Sequence, residues 1–420
     1  MSNRFSWAMH LSASDRPVPC LHEMILALLP LLLGGELLLW AALVPVGLRG
    51  EADFAMFYTA GSMVRAGHSR QLYNVAVQRR FQDTLVSKTP APYTHLPYEA
   101  LLFVPFSMFS YRTAYTLFLF VNLVLATAAF RLIRPTNDEW LAVAIAASYF
   151  PISAAIADGQ DSVFLLVLAG ASWRLFARKK EWFAGGLLAL GLFRFQIVLP
   201  VAGLMLLWKR WRFVSGFAAA SIPVLALSTL VAGVDQMRLY GTQLVSLSAV
   251  AAQHATGYSL SHSQLLRMVN LRAFFANIVP SQHAGDAITL IASLALMLWV
   301  GKHGRTIGRE HQFALAVAFS VLVSYHLFVY DLSILLVPLM AILAVAERGQ
   351  SRAAEAAIPI LLVAVPVGIL WRPFLLALPL IVFLLTITRT FCRGPEAGRP
   401  QAEEEPPSGS TVSAFEIPPI

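Results

Sequence analysis

Charge is what this sequence has least of. Only 13% of its 420 residues are Asp, Glu, Lys or Arg, about half the share of a typical soluble domain. A water-soluble helical chain of this length would show polar faces recurring every ~3.6 residues, and its apolar stretches show none. Disulfide scaffolding is excluded as well. The two cysteines, Cys20 and Cys392, both fall in segments expected on the cytoplasmic side. There is no zinc-type His-Glu-x-x-His, no phosphate-cradling Gly-x-x-x-x-Gly-Lys and no nucleophile elbow Gly-x-Ser-x-Gly. A nucleotide-binding domain is thereby excluded, and any chemistry must draw on substrates from the membrane or its outer face. No internal repeat stands out, which weighs against a transporter built on inverted halves.

What the chain has is apolar length. Hydrophobic residues make up 57% of it and the mean hydropathy is +0.66. They fall in blocks of about twenty residues, enough to cross a ~30 Å hydrocarbon core at ~1.5 Å per residue. The first block, 24–46, is too long for a signal-peptide core and lacks a small-residue cleavage site, so it is expected to be retained. A net charge of +8 does not point to nucleic acid, because the basic residues cluster at block ends. Arg178, Lys179 and Lys180, then Lys209, Arg210 and Arg212, then Lys302, Arg305 and Arg309, then Arg348 and Arg352, then Arg389 and Arg393 mark the cytoplasmic side.

That rule predicts an all-α polytopic membrane protein with about ten to twelve transmembrane helices. Residues 1–23 are expected to be cytoplasmic, 24–390 to form the transmembrane domain, and 391–420 to be a disordered cytoplasmic tail. Two polar segments, 47–111 and 233–284, are expected outside. The second carries His254, His262 and His283. Parity requires that the apolar stretch 96–109, bracketed by Pro97 and Pro105, be re-entrant or juxtamembrane and not spanning. Single helices are predicted over 140–157 and 312–329. The run 182–208, basic at both ends, is predicted to be a hairpin turning near Phe193-Arg194-Phe195.

The outer face collects the candidate site residues. Asp53 follows the first helix and opens a helical pattern running through Arg65 to the breaker Ala66-Gly67-His68. A carboxylate at the bilayer surface beside an apolar wall can act as a base towards a hydroxyl; equally, Asp before a helical run is an ordinary N-cap. Tyr325-His326 and Tyr330-Asp331 end one apolar helix and open the next. Ionisable groups at that depth line a cavity or pair with each other, so His326 either binds a phosphate or closes the turn with Asp331. Arg194, flanked by apolar residues, either contacts a lipid phosphate or snorkels to an interface. Glu36, isolated in the first block, is expected to face a polar neighbour within the bundle.

In their order these stretches resemble glycosyltransferase family 87, the polyprenol-phosphate-mannose-dependent membrane mannosyltransferases of the GT-C superfamily. The resemblance rests on Asp53-Phe54-x-x-Phe57-Tyr58-x-Ala60-Gly61, Gly67 and Leu72-Tyr73. It continues through Leu96-Pro97-Tyr98 to Pro105, Tyr111-Arg112-x-Ala114-Tyr115, Asn122 and Gly159-Gln160-Asp161. Ala184-Gly185-Gly186, Phe193-Arg194-Phe195-Gln196 and Tyr325-His326-x-x-x-Tyr330-Asp331 complete it. Here Leu96-Pro97-Tyr98 stands for the usual Tyr-Pro-Pro, and Arg194-Phe195-Gln196 for the usual Lys-Pro-Gln.

The resemblance implies a GT-C-like bundle whose long first outer loop contains amphipathic and re-entrant helices. It implies inverting transfer of a hexose, expected to be mannose, from a polyprenyl-phosphate donor to an extracytoplasmic glycan or glycolipid acceptor. Asp53 would be the base, His326, Arg194 and Arg112 would bind the donor phosphate, and Tyr58, Tyr98, Gln160, Asp161, Gln196 and Asp331 would bind substrate. It gives no reason to expect a cofactor or a metal, and it places the multi-pass chain in a bacterial inner membrane among membrane lipid. The competing reading is a transporter or flippase of a lipid-linked or small solute; a noncatalytic partner in envelope assembly is the third.

Overall fold

The computed structural model describes residues 21–85, 92–134, 138–246, 262–349 and 351–393. Cys20, His254, most of the N-terminal segment and nearly all of the C-terminal tail lie outside the described residues. Every element among those described is helical, and none is a strand. Seven helices are long and apolar enough to cross a membrane, or up to nine if each of two bent pairs is one span. One shorter apolar helix, Ser162–Ala177, adds to these. Large apolar side chains point outward from the spans, as at Leu230 (83% exposed) and Leu370 (88%). Lipid is a good solvent for them, and backbone groups stay satisfied inside each helix.

Helices in lipid gain nothing from hiding apolar surface from each other, so small residues that permit close approach decide the packing. Glu181–Ala189 and Trp211–Ala232 show this twice. A Cβ on Gly185 would collide with the Phe213 carbonyl, and one on Gly216 with the Trp182 carbonyl. The Leu336–Ala346 helix is buried almost throughout and forms the centre of the bundle.

Three broken elements shape the site. The segment 96–109 is two short helices, Pro97–Phe103 and Phe106–Met108, neither long enough to span. The single helix predicted over 140–157 is instead Glu139–Ala147 and Phe150–Ala157, bent by 51°. Pro151 lies in the first turn of the second piece, where its missing N–H is tolerated but a continuous helix is not. The run 182–208 divides into Glu181–Ala189, a 3₁₀ turn Leu192–Arg194 and Phe195–Leu207, bent by 70°. Its two outer ends come together, with Arg210 3.3 Å from Glu181. The basic clusters at both ends therefore share one face.

A further correction concerns 312–329. The Arg309–Val323 helix stops short, and residues 324–328 run non-helically into a 3₁₀ turn, Val329–Leu335. Neighbours hold the break open. Asn270 Nδ2 donates to the Ser324 carbonyl at 2.6 Å, and the Val269 N–H donates to the Leu327 carbonyl at 3.2 Å. The Phe54–Arg65 helix ends where the breaker predicts, with Gly67 at φ +79°. It is buried nearly all round, a core helix and not the amphipathic interfacial one its sequence suggests.

Candidate active site

Asp53 stands at the start of the Phe54–Arg65 helix, yet its side chain makes no capping hydrogen bond there. Its carboxylate Oδ2 accepts from Gln160 Nε2 instead. The backbone fixes this pairing. The Asp53 N–H donates to Asp158 Oδ1 at 3.3 Å, and the Phe54 N–H to the Asp158 carbonyl at 3.2 Å. Between Asp158 and Gln160, Gly159 takes φ +67°, a left-handed turn that glycine adopts without strain. A Cβ there would lie 2.6 Å from that of Phe54, so glycine also permits the helix to seat against the turn.

From Gln160 the network runs inward. Gln160 Oε1 accepts from Arg194 Nη2 at 2.6 Å, and Arg194 Nε donates to Asp161 Oδ1 at 3.0 Å. Arg194 Nη1 lies 3.2 Å from Asp331 Oδ1, which also accepts from Ser162 Oγ at 3.0 Å. Asp331 Oδ2 takes the Phe328 N–H at 3.0 Å, holding the 3₁₀ turn. The Arg194 guanidinium, 2% exposed, is thus gripped by two carboxylates, and its Cζ sits 5.5 Å from the Tyr330 ring centroid. The kink aims it. Tyr98 Oη donates to the Leu190 carbonyl at 2.6 Å and accepts the Phe193 N–H at 3.1 Å, bracketing the turn that carries Arg194.

A second group adjoins Asp161. His95 Nδ1 lies 2.8 Å from Glu99 Oε2 and 3.3 Å from Asp161 Oδ2. Tyr93 Oη donates to the Leu96 carbonyl at 2.8 Å and lies 3.3 Å from Glu99 Oε2. Burial pushes the Glu99 carboxyl up to about 8 against the pull of His95, so the His95–Glu99 pair holds a proton at neutral pH. Asp161 stays below the usual carboxylate range: burial opposes ionisation, but Arg194 and His95 outweigh it.

Electrostatics set Asp53 apart. Burial raises its pKa above the ordinary value, and Arg194 with the hydrogen bonds of Tyr330, Asp158 and Gln160 only partly offsets this. Asp158 is raised further, by burial and by the Asp53 charge beside it. Two neighbouring carboxyls that resist ionising together behave as a coupled pair with a shared proton. Asp53 keeps some exposure, whereas Gln160 and Asp161 are buried. Of the Asp53–Gln160–Arg194–Asp161 chain, only Asp53 is partly open to solvent.

The other candidates divide. His326 Nδ1 is buried without a hydrogen-bond partner among the described residues. Burial first, then Arg194, Arg272 and His95, push its pKa down to about 3, so the imidazole is neutral and can act only as a hydrogen-bonding group, not as a cation. Beside it, Arg272 stacks 3.9 Å from the Tyr325 ring centroid. Tyr58 is buried and donates to the Phe109 carbonyl at 2.8 Å, tying down the 106–109 turn. Gln196 is buried one turn beyond the kink. Arg112 is exposed in the first turn of Tyr111–Ile133 and joins none of these groups. Glu36 meets its polar neighbour, accepting from Ser153 Oγ at 2.6 Å.

Sequence reasoning singled out neither His95 nor Glu99, and it treated Asp158 only as part of a turn. The His95-Leu-Pro-Tyr-Glu99 spacing puts the two on one face of a helical turn, a signal that was present at the start of the 96–109 segment. Their convergence on Asp161 was not readable.

The family model described as glycosyltransferase family 87 matches residues 93–325, more than half of the chain. That span includes His95, Glu99, Asp161 and Arg194 and stops short of His326; Asp53 precedes it. No curated protein and no solved structure matches the chain.

Proposed function

The chain belongs to glycosyltransferase family 87, and from that premise we propose that it transfers a hexose, mannose in the first instance, from a polyprenyl-phosphate donor to an extracytoplasmic glycan or glycolipid. One observation carries this reading: the Asp53 carboxylate leaves its own helix uncapped and is held by Gln160 at a partly exposed position. A carboxylate kept from capping, with a pKa raised above its ordinary value by burial, is suited to take a proton.

In the proposed reaction the acceptor hydroxyl gives its proton to Asp53 as its oxygen attacks the anomeric carbon. The bond from that carbon to the phosphate oxygen breaks on the opposite face, giving an inverted glycoside and polyprenyl phosphate. Neutral His326, with its free Nδ1, donates a hydrogen bond to the departing phosphate. Arg194 is engaged by Asp161, Asp331 and Gln160. Its proposed part is therefore to aim Gln160 and Asp53, with its positive field reaching the phosphate at longer range. Tyr98 and Tyr58 act through the backbone they hold, and the bilayer takes the prenyl chain. The proposed setting is a bacterial inner membrane, where a polyprenyl-phosphate donor and an extracytoplasmic acceptor can meet.

Asp53→Asn tests the reading. General-base assistance is worth about 10²–10⁴-fold, so turnover with a polyprenyl-phosphate hexose and a labelled acceptor should fall by that factor. Asn keeps the Gln160 contact through its amide oxygen, so thermal stability and donor affinity should stay near wild type. Activity retained within a few-fold would refute the mechanism, and uptake of the lipid-linked sugar into vesicles without transfer would mark a carrier instead.

A further inference from the structure

The His95–Glu99–Asp161 group has no assigned work in this mechanism, yet it is the most completely buried set of potential ligands in the described chain. One ligand atom from each, an imidazole nitrogen and two carboxylate oxygens, lies within 4.8 Å of the others. Ligands about 2.1 Å from a shared ion sit roughly 3 Å apart when adjacent. The 2.8 and 3.3 Å separations from His95 Nδ1 to Glu99 Oε2 and Asp161 Oδ2 match that spacing.

An ordinary His–Glu ion pair would account for Glu99 Oε2, which takes both the His95 and Tyr93 contacts. It does not account for the rest. Among the described residues Glu99 Oε1, fully buried, has no hydrogen-bond partner, and Asp161 Oδ2, also buried, has only the approach of His95. Buried carboxylate oxygens without a donor are costly unless a proton or a cation meets them.

The surrounding charge points the same way. Asp53, Asp158, Asp161, Asp331 and Glu99 gather around Arg194 and His95. The outer contacts resemble those that steady metal ligands. Arg194 holds the far oxygen of Asp161, Tyr93 lies against Glu99, and Tyr73 Oη donates to the His95 carbonyl.

We propose that His95 Nδ1, Glu99 and Asp161 bind one divalent cation. Two carboxylates and one imidazole suit an oxygen-preferring first-row ion that also accepts imidazole, such as Mn²⁺, better than a thiolate-seeking metal. The ion's use in turnover, offsetting acidic charge when an anionic donor phosphate enters, rests on the transferase reading; the binding itself does not.

The test uses the purified full-length chain in detergent, stripped with EDTA and titrated with Mn²⁺ in the absence of any sugar donor. About one tightly bound Mn²⁺ per chain is expected, and its electron spin echo should carry the modulation of a single imidazole nitrogen. Glu99→Gln and His95→Asn should each weaken binding by about 10–100-fold or more, with unfolding midpoints in EDTA close to wild type. No bound ion, a bound ion without nitrogen modulation, or undiminished binding in folded Glu99→Gln would each overturn the proposal. The wild-type spectrum decides the matter even if both variants misfold. Since no donor is present, the result stands whatever becomes of the transferase reading.

Discussion

The hairpin 181–207 joins two charged networks of opposite character. At its start, Glu181 Oε1 lies 3.3 Å from Arg210 and 3.2 Å from Arg309, and Gln312 Oε1 accepts from Arg210 Nη2 at 2.7 Å. At its turn, Arg194 meets Asp161 and Asp331. About 14 Å of helix separates the two, at 1.5 Å per residue over Glu181–Ala189. The first network has one carboxylate between two guanidiniums at the basic face, partly open to solvent. The second inverts the ratio and buries it, with orphaned oxygens beside it. One arrangement latches two helix ends together. The other gathers buried carboxylates around a single guanidinium, the kind of cluster whose ionisation is perturbed and which is a candidate for binding a proton, a cation or a substrate.

Removing the guanidinium at the turn should have the largest structural effect. Arg194→Met leaves Asp161 and Asp331 buried and unpaired, which typically costs about 3–5 kcal/mol. A large drop in thermal midpoint is expected, together with loss of transfer. Arg194→Lys keeps the charge but not the planar fork that spans two carboxylates and an amide, so it should fall between Met and wild type. If Arg194→Met unfolds no earlier than a latch variant, the contrast between the two networks is wrong.

How much of this was legible in the sequence depends on range. The spans, the basic face and the turn near Arg194 follow from block length and from where Lys and Arg fall, both local properties. Asp53 could be nominated but not decided, because cap and base look alike until Gln160, 107 positions away, is seen to hold the carboxylate. The breaks at 148–149 and 324–328 were missed for a related reason. Apolar runs read as continuous helices, while Pro151 and the tethers from Val269 and Asn270 stop them. From sequence Arg194 reads as a charge that contacts a lipid phosphate or snorkels to an interface, whereas the structure buries it against Asp161, Asp331 and Gln160. Its grip on Asp161 and Asp331 depends on turns from three separate parts of the chain, which no local pattern encodes.

The coupled carboxyls offer a finer test. The base must be ionised, so kcat/KM should fall as pH falls through the Asp53 pKa. That pKa is raised, which puts the acid limb above the ordinary Asp value of about 3.9. Asp158→Asn can still accept the Asp53 N–H but removes the carboxyl whose hydrogen bond holds the Asp53 pKa down. The limb should then move towards higher pH, with the plateau rate near wild type. A limb that stays put would show that burial alone sets the Asp53 pKa.

The smallest effect belongs to the latch. Glu181→Gln removes one carboxylate from two guanidiniums, but Arg210 keeps both its bonds to Gln312 Oε1, at 3.1 and 2.7 Å. Arg309 is partly exposed, with 29% of its side chain accessible, so water and lipid headgroups replace what it loses. Pairs of that kind are worth about 0–1 kcal/mol and weaken with salt. Thermal unfolding at low and high ionic strength should therefore show a shift of a few degrees at most, largest at low salt, with transfer unchanged. The hairpin itself should survive, since the Gly185 and Gly216 contacts seat it against Trp211–Ala232 without any charge. If Glu181→Gln instead slows transfer, the hairpin would be transmitting strain from the basic face to Arg194. The two networks would then have to be treated as one device, with its control on the side opposite to its chemistry.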